Sequence, residues 1–445
     1  MRPLARRYRR PYIPARVATL AVVALLAVLA GADLPAFAHS SAPAAPADKA
    51  TSWFAGLMPD WDDTNVRFEA GGLRLDSGAA GPASVRSSRP EGMLLTAVHP
   101  LTQLSSQVAA EIAAEQPAGS AVEVDVRGIR GDGSWTEWVA TGPQAPAALG
   151  AAVTAVQARV MLRSTAGEAG PVVRSVRLRA EPGVQPLAAR PRTARSYRVF
   201  ATREGLVGGK TANGHVIRER DHFVALPSRR GLAPRGSGDY TVKVCAANGR
   251  CEWAPVWDVG PWNTTDDYWN PPDVRQSWPD LPRGRPQAQA AHDEGYHDGM
   301  DQFGRTVRNP AGIDLADGTF WDGLGLQNNS WVTVTYLWVD GGSPAIVRIP
   351  ILPVRSGPGE KYPAVGLAVQ RAKLMVECAV TGSAVTGSQG STDRWLRIGP
   401  KQFIPAAHVS APGADSPAVQ TGAAKIPATK GSGAHQVSVQ HCATP

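Results

Sequence analysis

Gly208-Gly209-Lys210-Thr211-Ala212-Asn213-Gly214, Asp221-His222-Phe223-Val224-Ala225-Leu226-Pro227, Trp257-Asp258-Val259-Gly260-Pro261-Trp262 and Gly312-Ile313-Asp314-Leu315-Ala316, with Leu324-Gly325 after it, decide the reading of this chain. These blocks join turn signals to short apolar runs. Thr-Ala-Asn-Gly suits a tight turn that leads a strand back, since Asn and Gly accept the backbone conformations such turns need. Asp258-Val259-Gly260-Pro261 ends a strand, because proline cannot extend the hydrogen-bond ladder. That puts Asp258 at a strand end facing a groove. A last strand, Trp331 to Trp338, follows the fourth block.

Outward from these blocks the pattern stays β. Val122 to Arg127, Val156 to Leu162 and Val172 to Leu178 alternate apolar and polar residues, the last with Arg on its outer face. They predict a β-sandwich, jelly-roll-like, over 51–182. Gln107 to Glu115 is the best helical candidate, or else a loop turn. Trp53, Trp61, Trp135 and Trp138 either stack on sugar rings from an open sheet or fill the core. Pro, Ala, Gly and Ser gather at 39–50, 181–196 and 410–436 as linker-like stretches, and a further break is expected near Pro344. The length divides into two to four domains.

The N-terminus reads as an export signal. Arg2, Arg6, Arg7, Arg9, Arg10 and Arg16 precede an apolar run, Val17 to Ala30, and the small-x-small triplet Ala36-Phe37-Ala38. Residues 1–38 are expected to be removed, leaving His39 first and the mature chain extracellular with no integral membrane association. The formal charge of +8 includes +5 from that segment (six Arg, one Asp), so the mature chain carries about +3 (8 − 5). No basic stripe with interleaved aromatics is present, which excludes a nucleic-acid binder. Four cysteines in an exported chain point to two disulfides. Asn248-Gly249 predicts a hairpin turn that brings Cys245 to Cys251, leaving Cys378 for Cys442.

The four blocks, in this order, make residues 195–342 resemble the double-psi β-barrel family of rare lipoprotein A, expansins and related endoglucanases. The resemblance implies a six-stranded barrel. It implies that Asp258 is the general acid for glycosidic cleavage, that His222 assists or holds substrate, and that Asp314 is a second carboxylate beside them. Two carboxylates in differing environments can divide acid from base duty; the alternative is that both hydrogen-bond within loops of the barrel. His215 and Trp262 are expected to border the groove as ligand-binding residues. Val259 departs from the family's Arg, and residues 263–308 form a long insertion. Its stretch His292 to Asp298 reads as a solvated acidic loop, since its spacing fits no metal motif; no metal or cofactor is expected.

Residues 346–411 resemble the bacterial SH3-like module of cell-wall proteins, on Val354-Arg355-Ser356-Gly357-Pro358-Gly359, Tyr362-Pro363, Val365-Gly366 and Trp395 to Ile398. The resemblance implies peptide or glycan binding by Tyr362, Trp395 and Arg355, or else a spacer with those aromatics in its core. A Pro/Ala/Gly-rich tail, 412–445, follows. The expected fold is mainly β: sandwich, double-psi barrel and SH3-like barrel. The expected function is binding to cell-wall glycan or peptidoglycan, with or without lytic cleavage. A non-enzymatic interaction protein, such as a protease inhibitor or scaffold, is the other reading. An open groove lined by Asp258, Asp314 and aromatics would favour the first, and a covered one the second.

Overall fold

The computed structural model describes residues 50–76, 90–183, 195–339, 343–411, 437 and 439–442. The expected signal, 1–38, and nearly all of the tail lie outside these residues. The described chain is mainly β.

Its N-terminal strands are β1 (Thr51–Phe54), β2 (Val66–Glu69), β3 (Gly72–Leu75), β4 (Glu91–Leu95), β5 (His99–Glu115), β6 (Ala121–Ile129), β7 (Val139–Thr141), β8 (Ala147–Arg163) and β9 (Val172–Glu181). They form one antiparallel sheet, ordered β2-β3-β9-β5-β8-β6-β7, with β1 on β9 and β4 on β8. The two longest strands serve both halves of it. β5 pairs with β8 through its first part and with β9 through its second; β8 passes from β5 to β6 and β4. Both halves enclose one core, in which Val124, Val126, Val156 and Val160 meet Val173, Val176 and Leu178.

The helix expected at Gln107 to Glu115 is instead the second part of β5. Val108 and Ala110 are buried there while Ala109 and Glu111 face outward, a period of two. Val108 and Ile112 also fit a helical period, but pairing to β9 over the whole stretch decides for the strand.

The central strands are β10 (Ser196–Arg203), β11 (Val224–Leu226), β12 (Thr241–Ala246), β13 (Cys251–Val259), β14 (Ala311–Leu315) and β15 (Ser330–Tyr336). They close a ring, β10-β14-β11-β13-β12-β15 and back to β10. The β10–β14 and β11–β13 pairs are parallel and the other four antiparallel. This is a closed six-stranded mixed barrel. Val199, Ala201, Val224, Leu226, Val244, Val256, Ile313, Leu315 and Val334 fill its interior. Between β13 and β14, the 263–308 insertion contributes one α-helix, α1 (Gln287–Glu294), ended by Gly295 in the left-handed region (φ 68°) and followed by a short 3-10 helix, Tyr296–Gly299. His292, Asp293, Glu294, His297 and Asp298 are exposed. Among the described residues no group of three His, Cys, Asp or Glu is placed to hold a metal ion.

The C-terminal strands are β16 (Ser343–Val347), β17 (Ile351–Arg355), β18 (Ala364–Val369), β19 (Lys373–Val376), β20 (Cys378–Gly387), β21 (Gly390–Gly399), β22 (Gln402–Pro405) and β23 (Val409–Ser410). β18 pairs in parallel with the start of β13, Cys251 opposite Gly366 and Trp253 opposite Ala368. The barrel sheet therefore continues through β18, β17, β22, β21 and β20, while β19, β16 and β23 form a separate small sheet. Pro344, near which a chain break is expected, is buried within β16, and residues 340–342 before it lie outside the described residues. Val347, Leu352, Val354 and Leu374 share the hydrophobic core of the barrel.

Both disulfides form as paired, Cys245–Cys251 across the Asn248-Gly249 hairpin and Cys378–Cys442 from β20 to the tail, with Cα separations of 4.1 and 4.9 Å. The tryptophans divide. Trp138 is buried and its indole N–H donates to the Leu232 carbonyl at 3.1 Å. Trp135 carries the Arg127 guanidinium at 3.8 Å, and Trp53 stacks on His99. Trp61 stays 62% exposed.

Three charged side chains tie the parts together. Asp239, before β12, faces Arg127 of β6 at 3.0 Å and Lys373 of β19 at 3.7 Å. Glu137, after β6, accepts from the indole N–H groups of Trp269 (2.6 Å) and Trp338 (2.7 Å) and from the Asn270 amide (2.6 Å). Arg159 of β8 pairs with Asp125 and donates to the Arg229 carbonyl beside the barrel.

Candidate functional site

The parallel and antiparallel partners of β11 set the site. Ala225 lies opposite Asp258 of β13 on one side and Asp314 of β14 on the other, and Asp314 lies opposite Thr202 of β10. Cross-strand partners share a face. Val224, Leu226, Ala201, Ile313 and Leu315 point into the barrel, so Asp258, Ala225, Asp314 and Thr202 form an outward strip over four strands. Two strand spacings put the backbones of the two Asp residues about 10 Å apart. Only the methyl group of Ala225 stands between them.

Asp258 is a latch. Its Oδ1 accepts from the backbone N–H of Ala212 at 2.7 Å and of Val259 at 2.8 Å, and the residue is 5% exposed. The Thr-Ala-Asn-Gly turn forms as read: Gly214 N–H donates to the Thr211 carbonyl at 2.9 Å, and Gly214 takes φ 85°. Asn213 is fully buried, and its amide donates to the Ala233 carbonyl at 3.0 Å. Asp258 thus holds that turn onto the end of β13.

Asp314 is also buried, accepts from the Thr202 hydroxyl, and forms with it the floor of a cleft of about 220 Å³. The walls are Val259 to Thr264, which include Trp262, and Phe303, Arg305 and Asn309. Trp262 lines the same cleft as Asp314. Its indole N–H donates to Asn309 at 3.1 Å. Asn263, Thr264, Phe303 and Arg305 of this wall come from the two ends of the insertion, and the rest from the residues that flank it.

His222 does not join this strip. Phe223 packs under the 206–217 loop, on the same side as Ala225, while His222 reaches Glu252, with Nδ1 3.1 Å from Oε2. Glu252 sits six residues before Asp258 on β13, about 20 Å along the strand. The convergence of His222 with Asp258 and Asp314 is corrected accordingly: alternation along the chain turns His222 to a different partner. His215 borders the Asp258 side instead. Its Nε2 is 2.6 Å from Asp221 Oδ2, and its ring lies 4.8 Å from Trp257. Burial alone would raise the Asp221 carboxyl, but the bonds from His215 and from Arg218 N–H outweigh it and hold the group below its ordinary value.

In the C-terminal part, Trp395 is 1% exposed, donates its indole N–H to the Ser383 carbonyl and packs on Val385 and Ala407. Its expected ligand role is corrected to a core role. Tyr362 is part-exposed against Gly357, and its carbonyl accepts from Arg355 at 2.8 Å, so these two do lie together. Sequence reasoning missed Thr202, Phe303, Arg305 and Asn309, which carry no motif. It also missed Glu252, for which a signal existed: a carboxylate inside the apolar run Cys251 to Trp257 calls for a buried partner.

The His222–Glu252 pair has a pH consequence. Burial opposes the charged ring, but the Glu252 bond and charge, with Asp322 and Asp221 behind it, prevail and raise His222 above 6.5. Its stabilising contribution is complete below the ordinary histidine value and lost as pH rises through the raised one. Thermal midpoints of wild type and His222→Gln should therefore differ most near pH 5.5 and converge toward pH 8.5. A gap that widens with pH would refute the pairing.

Residues 195–335 match a family described as a domain of unknown function (DUF8814). No curated protein matches the chain.

Proposed function

We propose that the chain is an exported protein that associates with cell-wall or other structural polysaccharide by holding glycan in the cleft between barrel and insertion, without cleaving it. The observation that carries this is the cleft itself: a carboxylate and a hydroxyl, Asp314 and Thr202, at its floor and two aromatic rings, Trp262 and Phe303, in its walls. Polar groups that fix hydroxyls beside rings that cover apolar sugar faces are the usual composition of such sites. Two disulfides fit an oxidising compartment, as the Arg-rich N-terminus does. The two parallel strand pairs of the barrel agree with a double-psi arrangement, and the SH3-like resemblance supports wall association. Binding is favoured over lysis because Asp258 is buried and its Oδ1 takes two backbone N–H bonds, whereas an acid catalyst must reach the leaving oxygen.

Pulldown on insoluble peptidoglycan, cellulose and chitin tests the reading. Retention on at least one, without release of reducing or anhydro sugar, is expected, and Trp262→Ala should weaken it roughly tenfold. No retention on any of the three would end the proposal; sugar release abolished by Asp258→Asn would restore the lytic reading.

A second reading, an inhibitor or scaffold, draws on the insertion. The turn Asp301 to Arg305 is closed by the Asp301 N–H to Arg305 carbonyl bond and exposes Phe303 (53%), with Met300 (41%) beside it. A rigid exposed loop of this kind suits docking into a protein cleft, and stoichiometric inhibition of a protease by the intact chain would favour it.

A further inference from the structure

Arg305 is the one exposed charge among the residues lining the cleft, and it is held in place on all sides but one. Its Nε and Nη2 bond Asp301 Oδ2, each at 2.6 Å, and Nη2 also donates to the Trp262 carbonyl at 2.6 Å. The guanidinium lies 4.9 Å from the Phe303 ring and 6.0 Å from that of Trp262. Asp301 is itself fixed, its Oδ1 accepting from the backbone N–H groups of Phe303 and Arg305 at 2.9 Å. Nη1 has no hydrogen bond to a described residue, and the side chain is 45% exposed. The floor carboxylate, Asp314, is only 4% exposed.

The platform under Arg305 is equally constrained. Gln302 N–H donates to Asn263 Oδ1 at 2.9 Å, its Oε1 accepts from Thr264 N–H at 2.7 Å, and its amide donates to the Thr264 hydroxyl at 2.8 Å. Asn263 in turn donates to Gln287 at 2.7 Å. The two ends of the insertion are thus locked together, and the guanidinium is presented with little rotational freedom left to lose on binding. Arg308, three residues on, is exposed and forms no ion pair with a described residue.

We propose that this rim is a subsite for a carboxylate group on the glycan, with Arg305 Nη1 as its donor. A guanidinium already neutralised on one edge by buried Asp301 can still form a charge-assisted bond at its other edge. The sugar ring then faces Phe303 and Trp262, and its hydroxyls face Thr202 and Asp314. The inference rests on the glycan-binding reading above and adds the charge class of the ligand.

Matched ligand pairs test it. Retention of the intact protein is compared on peptidoglycan before and after amidation of its carboxyl groups, and on immobilised polygalacturonate against its methyl ester. The carboxylate form of each pair should hold the wild type about tenfold more tightly. Arg305→Gln should remove the difference, and Arg305→Lys, which keeps the charge, should keep part of it. Equal retention on masked and unmasked glycans by wild type overturns the inference and leaves glycan binding standing. So does a preference that survives in Arg305→Gln. Failure to bind these four and neutral cellulose and chitin removes both. The wild-type comparison decides even if Arg305→Gln does not fold.

Discussion

Asp239→Asn should lower the stability of the folded chain by about 3–5 kcal/mol, the cost of breaking a buried ion pair from one side. Asp239 sits between two cations from different parts of the chain, Arg127 and Lys373, whose side chains are 3% and 5% exposed. Burial alone would push the Asp239 carboxyl up, but the two cations outweigh it and hold it below its ordinary value. Burial pushes the Lys373 ammonium down, against the pull of Asp239. Asn keeps the shape and removes the charge, leaving both cations buried without the carboxylate they share. The sign with pH follows. A carboxyl with a depressed value contributes above its ordinary value and loses that contribution as pH falls through the depressed one. Chemical denaturation of wild type and variant should therefore differ fully at neutral pH and converge in acid. Adding Lys373→Met should recover part of the loss, because one stranded cation is removed. A loss under about 1 kcal/mol at neutral pH, the level of an exposed pair, would mean the junction is not held by this charge.

Deleting residues 343–445 should abolish the cooperative unfolding of the barrel. The deletion strips β18 from the first residues of β13 and uncovers Trp253, which is 2% exposed and lies against Gly366. It also removes Val347, Leu352, Val354 and Leu374 from a core that the barrel shares, and Lys373 from Asp239. Each large apolar group lost from such a core costs about 2–5 kcal/mol, and the sum exceeds the margin of a typical domain. Calorimetry and near-ultraviolet circular dichroism of the truncated chain should show no sharp transition and no fixed aromatic environment. A native-like cooperative melt would instead mean that the C-terminal part is a detachable module, as its resemblance to a wall-binding unit implies.

Local chemistry was legible where one residue type answers one local need. Asn248-Gly249 foretold the hairpin and with it the Cys245–Cys251 bridge; Asn213-Gly214 foretold the turn that Asp258 latches. The apolar runs around Val224, Ile313 and Val332 became barrel strands. What resisted reading depends on partners far away in the sequence. Gln107 to Glu115 fits two periods, and β9 chooses between them. Trp395 is compatible with a surface or a core, and only the packing of Val385 and Ala407 decides. His222 stands next to Phe223, and a one-residue step along the chain sends it to Glu252 and away from Asp258. Arg305 belongs to no motif at all; its place on the cleft follows from Gln302 and Asp301 locking the insertion.

The pairing of β18 with β13 separates two kinds of boundary. The stretch that matches the uncharacterised domain ends at residue 335, one residue short of the end of the last barrel strand. As a set of ring strands it is complete, since all six strands that close the ring lie essentially within it. As a unit of folding it is not: β11 is three residues long and pairs only with the far end of β13, so the near end has a ladder edge that β18 occupies here. An exposed ladder edge is a template for pairing with another chain, and in this chain β18 is the cover that prevents it. Recombination that moves the domain without such a cover transfers a sticky edge along with the barrel.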